Sequence, residues 1–204
     1  KDVKWTIKKK GLLQMARKKI IDHQELMSAT EKILVEKGYD AFHFRLLAEE
    51  LNVGRSTIYD YYSNKDELIS AYLHSFAHER VQESRQVLQL KKADDQLRAF
   101  LFIYLKYDHI QQAFTMINQM DAENKETNQE IIRQIRSLIS ELYHVSLEVI
   151  RNAKSEGLIR KEVDEKFISY IMLHLIKIPN YRQRTEEERL DELMEFILHG
   201  SGPY

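Results

Sequence analysis

Arg55, Ser56, Thr57, Tyr59, Asp60 and Tyr61 crowd six hydrogen-bonding side chains around one aliphatic residue, Ile58. No cysteine, nucleophile-elbow motif or glycine-rich phosphate loop stands near them or elsewhere in the chain, so the chemistry open to this run is recognition rather than bond breaking. Ile58 and Tyr62 are four apart and can face inward, which turns the other six outward. Arg55 is the side chain able to fork onto guanine. His43 and Arg45 upstream and Lys65 downstream add groups suited to phosphate. Ser63 with Asp66 three residues on reads as a capping box that opens a new helix at Asn64, where free backbone N–H groups and Lys65 also suit an anion.

Those side chains need a frame to hold them. Leu46, Leu47 and Leu51 set an apolar helical face, with Ala48 small enough for a second helix to cross closely. Asn52 tolerates the left-handed conformation of a sharp exit, Val53 can plug the corner, and Gly54 and Arg55 open the next short helix. The 44–68 stretch is therefore two short helices joined by a tight turn, then the start of a third.

The residues from His23 to Leu68 resemble the tetracycline-repressor (TetR) family of bacterial regulators. The resemblance is carried by Leu26, Met27, Ala29, the run Glu36-Lys37-Gly38-Tyr39, Leu47-Ala48, Val53, Ser56-Thr57-Ile58-Tyr59, Tyr62 and Lys65 through Leu68. It implies a helix-turn-helix whose recognition helix meets base edges through Arg55, Ser56, Thr57 and Asp60. His43, Arg45, Tyr59, Tyr61 and Lys65 are expected at phosphates, setting register rather than sequence. Two positions depart from the family pattern. His43 stands where Ser or Thr usually caps, with Phe42 before it in place of a small polar residue, and Gly54 stands where Ser or Thr is common, so both short helices should be weakly capped.

The wider sequence is that of an all-α protein. In 204 residues there are two prolines and six glycines, with 31% charged and 43% hydrophobic side chains. No apolar run approaches membrane-spanning length and no signal peptide is legible, which together with the lack of cysteine leads us to expect a cytoplasmic protein. The net charge of −1 is unevenly spread. Residues 1–19 carry eight Lys/Arg against one acid, whereas residues 20–85 carry seven against twelve. Attraction to phosphate is thus expected to come largely from the extension 1–22, read either as an arm along DNA or as a solvated tail.

We expect three parts: the basic extension 1–22, a helix-turn-helix domain 23–68 built on a first helix over 23–37, and a helical domain 69–204. The helix opened at Asn64 keeps apolar spacing past Gln82, with no Pro or Gly to loosen it. Further helical patterns fall at about 94–107, 109–122, 127–156, 164–178 and 186–199. The third of these, with Ile131, Ile135, Leu138, Leu142, Val145 and Val149, reads as a central core helix. The last two carry apolar stripes wider than one neighbour requires. By resemblance they pair with their copies in a four-helix dimer interface through Phe167, Ile168, Ile171, Leu175, Leu190, Leu193, Met194 and Ile197. A two-fold dimer then calls for a pseudo-palindromic operator.

Phe100, Tyr104, Tyr107, Phe114, Met116, Met120, Tyr143 and Met172 form an aromatic and methionine-rich group able to leave a cavity for a hydrophobic or amphipathic small-molecule effector, although such residues are more often simply core. His74 and His78, four apart with Glu79 beside them, lack a third ligand, and no metal or other cofactor is expected. The sequence therefore points to a ligand-released repressor binding operator DNA as a homodimer, and not to an enzyme. The competing expectation is a module of the same fold that acts through a partner protein, which the acidic reading head and weakened caps favour.

Overall fold

The computed structural model describes residues 21–106, 116, 129–175, 178 and 180–201. Within them the regular structure is entirely helical, and the chain divides into two compact units at Tyr72/Leu73.

The first unit starts with α1, His23–Ala41. Asp22 caps it by accepting from the Gln24 N–H at 2.8 Å, and Leu26, Ala29, Thr30, Ile33 and Leu34 recur at steps of three and four on its buried side. The expected stop at Gly38 is instead a kink: its φ of 78° breaks the helical run, which resumes through Ala41. A side chain is strained at that φ, so glycine is the residue that fits.

Helix α2 is Phe44–Glu50 and α3 is Arg55–Tyr59. Between them Asn52 takes a φ of 51°, and the Val53 N–H donates to the Ala48 carbonyl at 3.0 Å, closing the four-residue corner. Leu47, Ala48 and Ile58 are buried where the two helices meet. Leu47 and Ile58 are both wholly inaccessible, each stabilising the corner by about 1.5–3 kcal/mol. Lys32 on α1 pairs with Glu50 at the end of α2 at 2.7 Å. That bond to Glu50 holds the Lys32 ammonium above its ordinary pKa, but the pair is exposed and adds little stability.

Helix α4, Lys65–Val87, begins in the first unit and ends in the second. The second unit adds α5 (Ala93–Lys106), α6 (Gln129–Ser155), α7 (Glu165–Leu175) and α8 (Glu186–Ser201). Helix α6 packs on α5 and α7, and α5 also packs on α8. As its periodicity predicts, α6 buries Ile135, Leu142, Val145 and Val149, although Ile131 and Leu138 are only half-buried. Polar ties fix the register: Asn152 donates to Gln96 Oε1 at 2.8 Å, and the Ser146 and Ser169 hydroxyls meet at 2.7 Å. Gly157, at a φ of 78°, turns the chain out of α6. Asp164 caps α7, and Thr185 with Glu188 makes a reciprocal capping box for α8. Apart from Met116, the helix expected over 109–122 lies outside the described residues, as does the extension before Ile21.

Candidate nucleic-acid interface

A five-residue helix can present only one side while burying the other, and α3 does so with Ile58 at its inward centre. Arg55, Ser56, Tyr59 and Asp60 are exposed, as expected. Thr57 is not: at 8% exposure it belongs to the packed side. One residue before Ile58, it lies only about 100° around the helix, near enough for its methyl group to share the interior. Of the four residues expected at base edges, Arg55, Ser56 and Asp60 are thus exposed and Thr57 is buried.

The flanking groups sort differently from expectation. His43 is exposed and does cap α2, its Nδ1 accepting from the Leu46 N–H at 3.3 Å. Gly54 leaves α3 without a side-chain cap, as anticipated. Arg45 is exposed and pairs with Glu49 at 3.4 Å across one turn, a solvent-screened contact that a phosphate can replace at small cost. Tyr59 is half-exposed and leans edge-on against Phe44, ring centroids 5.0 Å apart, which aims its hydroxyl without burying it. The Tyr61 hydroxyl instead meets the backbone of Ile21. Burial pushes the neighbouring Tyr62 phenol above its ordinary pKa.

The cap ahead of α4 also departs from the expected pair. Asn64, not Ser63, receives the Glu67 N–H, at 2.9 Å, and Glu67 returns to accept from the Ser63 N–H at 2.8 Å. The box is shifted by one residue because the longer Glu67 reaches back where Asp66 would fall short. Asp66 is buried and accepts from the Tyr39 hydroxyl at 2.9 Å. Lys65 sits half-buried with its ammonium 4.0 Å above the Tyr39 ring, donating to the Tyr39 carbonyl at 3.4 Å. The Asn64/Glu67 spacing was visible in the sequence beside Ser63/Asp66; the tie to Tyr39, distant in the chain, was not.

In the second unit, Phe100, Tyr104, Met116 and Met172 are buried and Tyr143 is half-buried, while Tyr107, Phe114 and Met120 lie outside the described residues. Burial drives the Tyr104 phenol well above its ordinary pKa. None of this group lines a cleft of about 610 Å³ bounded by Leu175, Tyr181, Arg184, Arg189, Leu193 and Phe196, among others. Of the expected interface residues, Ile168, Leu190, Met194 and Ile197 are consumed by the subunit's own interior. Ile171, Leu175 and Leu193 are half-buried and Phe167 is 60% exposed. Tyr170, Tyr181 and Phe196, outside the expected set, are exposed as well, at 61%, 82% and 58%. An apolar stripe on both sides of a helix does not say which side the subunit keeps. The His74 and His78 rings stack 6.5 Å apart, and no group of three or more metal-ligating side chains occurs among the described residues. No helix among them is long and apolar enough to cross a membrane.

Residues 26–72 match the family model described as bacterial regulatory proteins, tetR family. Over 166 residues the chain is 26% identical to YhgD of Bacillus subtilis (strain 168), an uncharacterized HTH-type transcriptional regulator, covering 80% of this chain and 82% of that one. The fold is similar to that of the ketosteroid transcriptional regulator KstR2 of Mycobacterium tuberculosis, with a TM-score of 0.70 at 14% identity over 92% of this chain and 100% of that one. It is also similar to AibR, solved in complex with isovaleryl coenzyme A and operator DNA, with a TM-score of 0.66 at 16% identity over 85% of this chain and 96% of that one.

Proposed function

We propose that this chain, whose residues 26–72 match the model of the tetR family of bacterial regulatory proteins, is a cytoplasmic, ligand-released repressor that binds a pseudo-palindromic operator as a homodimer. The observation that carries the reading is the two-sided α3: Thr57 and Ile58 are locked inward while Arg55, Ser56, Tyr59 and Asp60 face solvent from one short helix. Arg55 and Ser56, with Asp60, read base edges; Tyr59, His43, Arg45 and Lys65 meet phosphates and set register. The exposed Phe167 and Tyr170 on α7 and Phe196 on α8 support a partner subunit covering these helices, since large rings left in water are characteristic of an interaction surface.

The effector is a hydrophobic or amphipathic small molecule taken up by the second unit, among residues of the Phe100, Tyr104, Met116 and Met172 group. AibR, similar in fold, is described with an acyl coenzyme A and with operator DNA, which supports a ligand having an apolar acyl part. For release, the ligand must bind better to the arrangement whose two reading heads are wrongly spaced for the groove; equal affinity for both arrangements shifts nothing.

A mobility-shift titration on DNA upstream of the gene tests this. The unsubstituted chain should select one duplex, and Arg55→Ala should weaken that selection by about 1–3 kcal/mol, roughly five- to 150-fold in affinity. Absence of binding to any duplex at low salt overturns the reading.

A further inference from the structure

Between α7 and α8 the chain is tied by its own side chains. Asn180 clasps Arg184 twice: its Nδ2 donates to the Arg184 carbonyl at 2.7 Å, and its Oδ1 accepts from the Arg184 N–H at 2.9 Å. The Gln183 N–H donates to the Asn180 carbonyl at 3.2 Å, and Gln183 takes a φ of 50° to close the turn. Near the start of α8, Arg189 donates to the Ile178 carbonyl at 3.2 Å. Ile178, Asn180 and Arg184 all line the cleft of about 610 Å³. Its loop wall is therefore bonded in place before any ligand arrives, which lowers the ordering cost of binding.

The rest of the lining is apolar. Leu175 ends α7, and Leu193 and Phe196 stand three apart on α8. The volume lies within the range of about 300–1,000 Å³ that suits small organic molecules. Three arginines line the cleft against two glutamates, Glu192 and Glu195, a net of one positive charge. Arg184 pairs with Glu192, Arg189 is tied to the loop, and Glu195 has His199 beside it at 3.5 Å. Arg182 is exposed and meets no carboxylate among the described residues. Its guanidinium matches a carboxylate with two parallel hydrogen bonds. A phosphate monoester brings nearly two negative charges at neutral pH, more than the cleft offsets.

We propose that this cleft is a second small-molecule site, apart from the Phe100 group, that takes an acyl or aryl carboxylate. Arg182 holds the carboxylate head, and Leu175, Leu193 and Phe196 receive the apolar body. The site goes beyond the DNA-binding function proposed above and does not depend on it.

The test is calorimetric titration of the full chain with decanoate, decanol and decylammonium, which share one apolar chain and differ in head charge. Decanoate should bind about three- to tenfold more tightly than decanol, with decylammonium weakest. That preference should shrink as salt is raised. Arg182→Gln should erase it while leaving decanol binding and the urea midpoint unchanged, since the side chain is exposed. A diazirine-bearing decanoate analogue, photolysed on the full chain and mapped by mass spectrometry, should label peptides within 175–196 rather than 93–106.

Equal affinities for the three amphiphiles overturn the proposal, as does an Arg182→Gln variant that keeps the preference. Labelling within 93–106 overturns it too, and places the acid in the interior group proposed for the effector. Decanoate affinity that falls as chain concentration rises assigns the cleft to a second copy of the chain. Binding to phosphatidylglycerol vesicles without binding of free decanoate assigns it to a membrane surface, and either result overturns the proposal. Failure to bind any duplex leaves these titrations untouched, so the two readings fail separately.

Discussion

The hydroxyl of Tyr39 donates to the carboxylate of Asp66 at 2.9 Å, and both residues are buried. The bond joins the segment beyond the Gly38 kink to the first turn of α4, with the Lys65 ammonium stacked over the same ring. A carboxylate taken from water in this way is tolerable only while its partners stay in place.

Tyr39→Phe removes one of those partners from the buried Asp66 carboxylate. The expected cost is about 1–3 kcal/mol, read as a lower urea midpoint, with a fall in Tm of roughly 2–4 °C per kcal/mol. A variant as stable as the unsubstituted chain would show that Asp66 is satisfied without Tyr39.

The two sides of α3 should separate stability from binding. Ile58→Ala opens a cavity at a fully inaccessible position and should cost about 2–5 kcal/mol. Arg55→Ala, on the exposed side, should stay within about 0.5 kcal/mol of the unsubstituted chain in stability while losing affinity for the selected duplex. Paired urea melts and mobility shifts check both, and an unstable Arg55→Ala counts against the assignment of that side to DNA.

Tyr104 links stability to alkaline pH. Burial raises its phenol above the ordinary value, so the fold favours the neutral form while the unfolded chain ionises near pH 10. The stability from this group is fully present below about pH 10 and drains away as the pH climbs further, by up to about 1.4 kcal/mol per pH unit. Tyr62 moves in the same direction, so Tyr104→Phe should reduce the loss between about pH 9 and 11 rather than abolish it. Urea midpoints at several pH values decide the point, and identical profiles for the two chains would refute it.

The outer faces of α7 and α8 give a test of assembly. Tyr170→Glu with Phe196→Glu changes two residues already 61% and 58% exposed, so the subunit should keep its helical content. A dimer built on that face should dissociate by at least tenfold, because each added carboxylate must be desolvated against its symmetry copy. Sedimentation velocity at micromolar concentration measures this. An unchanged dimer places the interface elsewhere.

Local chemistry made much of the reading head legible from sequence. The left-handed Asn52, the Leu47–Ala48–Ile58 packing and the outward turn of Arg55 and Ser56 all follow from residue types within one or two helical turns. The same reasoning put Thr57 outside and chose Ser63 over Asn64 as the cap. Both errors are one-residue choices between near-equivalent positions, settled by which side chain could reach its partner.

What the sequence determined by itself was an all-helical chain whose first part carries a helix-turn-helix of the tetR kind, since helix period, turn chemistry and motif spacing are properties of neighbours in the chain. Only the tertiary structure decided which stripe of α7 and α8 the subunit keeps, where Asp66 finds its donor, and that Tyr61 holds Ile21. Each of those depends on competition among groups tens of residues apart for a limited interior, and the winner is set by shape and reach that spacing along the chain does not encode.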